Sequence, residues 1–468
     1  MAALLAQEIE GLPAGTRIST HRELVRRFGA SATTVSQALA LLTQRGLIDS
    51  RPGAGSYRTE TRPVAPTGDT SWQETALASG RTGSAGASPR GFNTSALIGT
   101  LTRSGPEVTD LNGGYLHPQL QPLAALGTAL ARAARRVEAW DRPPVAGLPE
   151  LRDWFAADIG GGLTRNDILV CAAGQSALAT SLRALTQPGD PVVIESPTYP
   201  GIIAAAGAAG LHTIPIPLDR DGMRTDYLHD ALSRTKARIL IVQPLYQNPT
   251  GVSLSADRQR EIRAIARRHN ALVIEDDFGR HMRHADAGPT PPPMIADDPN
   301  GTVIHIRSLT KVTSPNLRVG ALAARGPVMA RLRDAHVIDS MFLSAPLQYT
   351  ALEVVTARGW KRALATLAAT LQHRRTIAVD AVTATFGPDA LANRPRGGYH
   401  LWVSLPSHLD GAQLAAAALA SGIAVTPGDN YYSTPGNAPH IRLSYVAAPA
   451  AVDVGDAIRR LGAVISEP

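Results

Sequence analysis

Ile306-Arg307-Ser308-Leu309-Thr310-Lys311-Val312-Thr313-Ser314-Pro315-Asn316-Leu317-Arg318-Val319-Gly320 is the stretch on which the reading of this chain turns. It continues an apolar run, Val303 to Ile306, that reads as a buried strand. It places a serine three residues before a lysine and an arginine seven residues after it. Four more apolar runs upstream end in the same way, each in a polar cluster. Ile168 to Cys171 leads into Ala173-Gly174-Gln175-Ser176 at the start of a helix, and Pro191 to Ile194 into Glu195-Ser196-Pro197-Thr198-Tyr199-Pro200-Gly201. Arg238 to Val242 leads into Gln247-Asn248-Pro249-Thr250-Gly251, and Leu272 to Glu275 into Asp276-Asp277-Phe278. Ala321 to Ala324 is a further strand. Short apolar runs alternating with Ala/Leu/Arg helices predict an α/β fold around a mostly parallel sheet buried on both faces. Polar clusters at the carboxyl ends of such strands are where an open α/β sheet holds its ligand.

The lysine matters more than one lysine usually does. Of the 46 basic residues only Lys236, Lys311 and Lys361 are lysines. Arginine serves most surface purposes of a positive charge but stays protonated near neutral pH, so it cannot form an imine with an aldehyde. Lys236 and Lys361 fall in surface-like segments, whereas Lys311 falls in the polar cluster after a strand.

Composition narrows the remaining choices. A chain of 468 residues with 44% hydrophobic and 18% charged residues is long enough for about three globular domains. A single cysteine, Cys171, rules out a disulfide framework or a cysteine zinc site, suits a reducing compartment and reads as core. Residues 1–15 contain Glu8 and Glu10 and no Lys or Arg, unlike a signal peptide, and no apolar run reaches the ~18 residues of a membrane helix. A cytoplasmic protein without a membrane partner is expected. His281 and His284 lack an evident third ligand, so no metal is expected and both read as surface or pocket-rim residues.

The chain divides by character. Residues 1–60 read as helix, helix, turn, helix, hairpin. Leu4, Leu5 and Ile9 share a face of a first helix, and Ser19 or Thr20 caps a second that Gly29 closes. Ser31 caps a third carrying Val35, Leu39 and Leu42, and two short strands flank Arg51-Pro52-Gly53-Ala54-Gly55. Residues 61–93, rich in Pro, Gly, Ser, Thr and Ala, read as a linker with a short helix around Trp72 to Leu77. Residues 94–330 form the large domain with the ligand site. Residues 331–468 form a smaller α+β lobe with strands at Gly398 to Ser404 and Ile441 to Val446.

Each polar cluster has a use if the ligand is pyridoxal phosphate. Gly174, Gln175 and Ser176 open a helix, whose free N–H groups suit a phosphate, with Ser308 and Arg318 adding a hydroxyl and a guanidinium. Asp276 suits a protonated pyridine nitrogen, Asn248 the ring oxygen, Tyr199 the ring face, and Lys311 the aldehyde. The set resembles the fold-type I aminotransferases over roughly residues 107–465. Asn248 to Asp276 is 28 residues and Asp276 to Lys311 is 35, as in that family. Gly147-Leu148-Pro149-Glu150-Leu151-Arg152, Gly397 to Trp402 and Pro427-Gly428 add to the likeness, and Arg442 matches the arginine that pairs with a substrate carboxylate. Singly, each motif has a plainer reading: a turn at Asn248, a helix cap at Ser308, a surface ion pair at Arg442.

Residues 16–57 resemble the winged helix of the GntR family through Arg22-Glu23-Leu24, Ser31 to Val35 and Gly46 to Tyr57. The resemblance implies that the third helix enters the major groove of double-stranded DNA, with Ser31, Thr33, Thr34 and Gln37 pointing towards it, Arg22 of the second helix the best base or phosphate contact and Arg51 at the wing the next. Ala32 and Ser36 stand where family members often carry arginine, so a different operator preference is expected. Residues 1–62 hold eight basic and five acidic residues, a modest net +3, so salt should weaken DNA binding readily.

A GntR winged helix, a linker and an aminotransferase-like domain together resemble the MocR regulators. That resemblance implies a homodimer that controls transcription in response to pyridoxal phosphate or an amino compound, with little or no physiological transaminase activity. The alternative is a working class I/II aminotransferase with a vestigial or assembly-only N-terminal domain. Asn248 in an intact Asn-Pro-Thr-Gly favours it. Phe278 in place of an expected tyrosine and Arg142 in place of a partner's phosphate-binding tyrosine weigh against it.

Overall fold

The computed structural model describes residues 1–44, 46–51, 54–59, 73, 91–102, 105–436 and 438–466. The chain forms two compact units, divided after Gly83. The linker expected over 61–93 lies outside the described residues except at Gln73 and 91–93, as do wing-tip residues 52–53.

In the first unit, helices Ala2–Glu10, His21–Phe28 and Ala32–Gln44 precede strands β1 (Ile48–Arg51) and β2 (Gly55–Arg58), which pair antiparallel. Thr20 and Glu23 form a reciprocal cap on the second helix, and Gly29 at φ 59° turns the chain out of it. Leu5, Ile9, Leu24, Val35, Leu42 and Ile48 make the core. Leu4 departs from the expectation that it joins them: it is exposed. Leu5 and Ile9 are four residues apart and define the buried stripe, and Leu4 is rotated off it by one residue, about 100°.

In the second unit, β3 (Thr109–Asp110) is followed by β4 (Ile168–Cys171), β5 (Pro191–Ser196), β6 (His212–Asp219), β7 (Gly222–Met223) and β8 (Ile239–Val242). Then come β9 (Leu272–Asp277), β10 (Val303–Ser308) and β11 (Gly320–Ala323). An eight-stranded sheet has the order β4-β11-β10-β9-β8-β5-β6-β7. β10-β9, β9-β8, β8-β5 and β5-β6 pair parallel, while β11 runs antiparallel to β10 and β4, and β7 to β6. β6 was not evident from the sequence because Pro215 and Pro217 interrupt it. Beyond β6 only Leu218 and Asp219 are covered by β7, so missing N–H groups are tolerated there. Helices fill both faces over two apolar clusters.

The remaining lobe carries the long helix Trp360–Phe386 and β12 (His400–Ser404), β13 (Ile423–Ala424), β14 (Thr426–Pro427) and β15 (His440–Ser444), with β15 between β12 and β14. β3 pairs with β13, so this early strand joins the late lobe although it lies within 94–330. The segment after β3 thereby crosses from the small lobe to the mouth of the large sheet.

Candidate functional site

A cavity opens at the carboxyl ends of β4, β5, β8, β9 and β10. Gly174, Gln175, Tyr199, Asn248, Asp276, Ser308, Lys311 and Arg318 all line it. Ser176 is half-buried in the same helical turn but does not line it. Arg442 lies behind the lining: its Nη1 donates to Asn248 Oδ1 at 3.4 Å.

Local chain geometry explains the convergence. Ala173 at φ 64° turns the chain from β4 into helix Ala173–Leu185, whose first-turn N–H groups have no partner within the helix. The Gln175 side chain folds back, its Nε2 donating to the Gly201 carbonyl at 3.0 Å. Arg318, at φ 48°, donates from Nη2 to the Ala172 carbonyl at 2.9 Å and so ties the segment after Lys311 to the turn after β4. Ser308 Oγ accepts the Thr310 N–H at 3.3 Å and shapes the turn that carries Lys311.

The segment after β3 closes the cavity over Lys311. Lys311 Nζ donates to the Gly114 carbonyl at 2.7 Å and sits 4.1 Å from the centre of the Tyr115 ring. A Cβ at Gly114 would lie 3.1 Å from the Tyr399 hydroxyl and 3.4 Å from Nζ, so the close approach favours glycine. Arg442 Nη2 donates to the Asn112 carbonyl, and the guanidinium lies 5.6 Å and 5.9 Å from the Tyr431 and Tyr399 rings.

Desolvation pushes the Lys311 amine down to about 8; nearby Tyr115 opposes that shift and Arg442 adds to it. Burial pushes the Asp276 carboxyl up to about 6 against the Gln243 hydrogen bond, with Asp277 adding to the rise. Burial likewise pushes Glu195 up to about 8. A neutral fraction of Lys311 near neutral pH is what a nucleophilic amine needs.

Tyr115, Gln243, Thr310 and Tyr399 also line the cavity, beyond the site residues that the sequence motifs point to. Tyr399 lies inside the matched run Gly397 to Trp402, and Gln243 directly follows β8. Those positions were the available signals. Phe278 contributes a ring without a hydroxyl.

The histidine expectation needs correcting. His284 is fully buried, not at a surface or rim, and its Nε2 meets the Tyr445 hydroxyl at 3.2 Å. His281 instead faces Asp158 at 3.3 Å. His281 lies within the turn Arg280–Met282 and His284 beyond it, and each meets its own polar partner. Glu275, Asp277 and His305 bring ligand-type atoms within 4.8 Å. Glu275 already accepts from Met294 and Ile295 N–H and meets His305 Nδ1, while Asp277 is paired with Arg280 and Arg307. Cys171 is buried and its thiol is pushed up to about 12, as befits a core residue.

In the first unit Arg22, Thr33, Thr34 and Gln37 are exposed. Ser31 is exposed too, but its Oγ accepts the Thr34 N–H at 3.2 Å and contacts Thr34 Oγ1 at 2.7 Å. It is first a helix cap. Ser36 Oγ contacts His21 Nε2 at 3.0 Å, tying the second helix to the third. The side chain of Arg51 lies outside the described residues.

Comparison with known proteins agrees with this division. Residues 2–57 match the model of the bacterial regulatory proteins of the gntR family, and residues 107–461 match aminotransferase class I and II. The uncharacterized HTH-type transcriptional regulator YdfD of Bacillus subtilis is 28% identical over 97% of this chain and 93% of its own length. The 2-aminoadipate transaminase of Thermus thermophilus is 26% identical over 76% of this chain and 90% of its own. The crystal structure of LysN, an alpha-aminoadipate aminotransferase of Thermus thermophilus complexed with N-(5'-phosphopyridoxyl)-L-leucine, superimposes with a TM-score of 0.76 at 25% identity. It covers 85% of this chain and 98% of its own. Joined to a gntR-family helix-turn-helix unit, the larger part of this chain belongs to the class I and II aminotransferase family.

Proposed function

We propose that the chain is a transcriptional regulator that binds double-stranded DNA through residues 1–60 and senses pyridoxal phosphate, or an amino compound that reacts with it, in the cavity around Lys311. The observation that carries this reading is the convergence of Lys311, Asp276, Asn248 and Arg318 on one cavity in a chain that also holds a gntR-family unit.

The residues fit that cofactor. Lys311 and Arg318 give the cavity a positive lining suited to a phosphate-bearing ligand, and Asp276 supplies one buried carboxyl. The first-turn N–H groups of helix Ala173–Leu185 stand beside them as donors for a phosphate. Lys311 would hold the aldehyde, Asp276 the ring nitrogen, Asn248 the ring oxygen and Tyr199 the ring face. Gly174, Gln175, Ser176, Ser308 and Arg318 would hold the phosphate. Bound there, the cofactor supplies an aldehyde carbon that condenses with amines.

An amine ligand at the site would displace the Lys311 amine, which would then hold a proton at Nζ. Arg442 holds the ligand's carboxylate in place of the Asn112 carbonyl that it now meets. Both exchanges act on the segment after β3, because Asn112 and Gly114 lie in it. Ligand binding would shift the balance of conformations there, and a homodimer would relay the shift to its two winged helices. In this reading the protein works in the cytoplasm; among the described residues no helix is long and apolar enough to cross a membrane.

A working aminotransferase is the second reading, favoured by Asn248-Pro249-Thr250-Gly251 and by the transaminase relatives. One comparison decides between them: binding of the chain to its own promoter DNA with and without pyridoxal phosphate, beside amino-group transfer to 2-oxoglutarate. Specific, ligand-sensitive DNA binding with slow transfer is expected. Rapid turnover without specific DNA binding would sink the regulator.

A further inference from the structure

Gln243 follows β8 and is 2% exposed at the cavity wall. Both ends of its amide are committed in a fixed sense. Oε1 accepts the backbone N–H of Asn248 at 3.0 Å, and a backbone N–H can only donate. The NH2 end is thereby turned to Asp276, where Nε2 donates to Oδ2 at 2.8 Å. A flipped amide would lose both bonds and set its carbonyl against a carboxylate. The Gln243 backbone is anchored as well: its N–H donates to Glu195 Oε2 at 3.2 Å, an oxygen that Gln247 Nε2 also meets at 3.2 Å.

We propose that Gln243 is a positioning residue that keeps Asp276 ionised and aimed, and couples it to Asn248, so that both face one pyridine-type ligand in a single register. This rests on the cofactor reading above. Burial drives Asp276 towards its neutral form, and a hydrogen bond donated to a carboxylate opposes that. An amide is well suited to the task, because it offers a donor to Asp276 and an acceptor to Asn248 without carrying a charge of its own into the buried space.

The test is titration of the full chain with pyridoxal phosphate, followed by visible absorbance at pH 6 and pH 8. Gln243→Glu keeps the shape and the acceptor for Asn248 but presents a carboxylate to Asp276 at pH 8. Affinity there should fall by about tenfold, the worth of one charge-assisted hydrogen bond. The deficit should narrow at pH 6, where the introduced carboxyl can carry a proton and donate again. Gln243→His, whose neutral ring offers one donor and one acceptor, should recover most of the affinity at pH 8. In an Asp276→Asn background, Gln243→Glu should cost little more, since the residue acts through Asp276. Should the Gln243→Glu chain fail to fold, Gln243→Met, which removes the donor without adding charge, gives the same Asp276→Asn comparison. Wild-type affinity in Gln243→Glu at pH 8 would overturn the proposal. So would an equal loss at both pH values that persists in the Asp276→Asn background, because that is a purely structural effect. A wild-type chain with no Lys311-dependent absorbance would instead overturn the cofactor reading, and the clamp with it.

Discussion

Glu275, Asp276 and Asp277 are three consecutive acids on β9, all buried, yet they have opposite fates. A strand points successive side chains to opposite faces. Asp276 therefore faces the cavity with Gln243, while Glu275 and Asp277 face away beside His305 and Arg307 of β10, their register partners. On the far face Arg307 and Arg280 hold the Asp277 carboxyl well below its ordinary range, against the cost of burial. On the cavity face a neutral amide is the direct partner of Asp276, which is pushed up to about 6. The far face is a sealed ionic layer that already has its counter-charges. The cavity face carries a costly carboxyl bonded to a neutral amide, with Lys311 as a nearby cation, which suits the ligand site proposed above.

The largest way to break this contrast is at Lys311. Lys311→Ala should abolish the visible absorbance of the chain in pyridoxal phosphate while leaving its far-UV circular dichroism unchanged. Surviving colour would mean that the chemistry lies elsewhere. Next is Asp277→Asn, which leaves buried Arg307 and half-buried Arg280 without their shared carboxylate. Urea denaturation should show a loss of about 3–5 kcal/mol, the cost of breaking a buried ion pair on one side. Asp276→Asn in the cofactor-free chain should cost far less, and equal losses would erase the distinction between the faces.

The pH dependence should be smaller and opposite in sense. Asp276 rises from 3.8 to about 6 on folding, so the folded chain binds this proton more tightly than the unfolded one. Its contribution to stability is full below pH 3.8 and is lost as pH rises through 6, on the order of 3 kcal/mol in all. Between pH 4 and 7 the urea midpoint of the cofactor-free wild type should therefore fall relative to Asp276→Asn. A difference that stays flat over this window would show that burial does not raise the Asp276 carboxyl.

The strands that carry the site, β4, β5, β8, β9 and β10, and their order along the chain were legible because apolar runs and the polar clusters after them are local features, whereas the proline-interrupted β6 was not. Lys311 stood out through the scarcity of lysine, and Asp276 through its place at a strand end. Gln243 was not legible, because nothing in Gln-Pro-Leu-Tyr tells which side chain will meet a carboxyl 33 residues away. Tyr115 and the carbonyls of Asn112 and Gly114 were hidden for a similar reason: they reach the cavity through the pairing of β3 with β13, more than 300 residues apart. His284 was misplaced because a short turn, not helical spacing, decides where it points.

The same sorting of inward and outward side chains holds in the first unit, and there it sets two exposed side chains of the third helix apart. Thr33 and Gln37 are exposed on the face opposite Val35 and Leu42, free to meet DNA. Ser31 sits beside them, but its hydroxyl is engaged with Thr34 at the helix start. Ser31→Ala should thus lower the stability of this unit by about 1 kcal/mol, as loss of an N-terminal cap does. Gln37→Ala should leave stability within about 0.5 kcal/mol and weaken operator binding instead. Thermal melts of the full chain beside DNA titration at fixed salt separate the two effects. If Ser31→Ala weakens DNA binding with no change in the melt, its hydroxyl contacts DNA directly and the cap is dispensable.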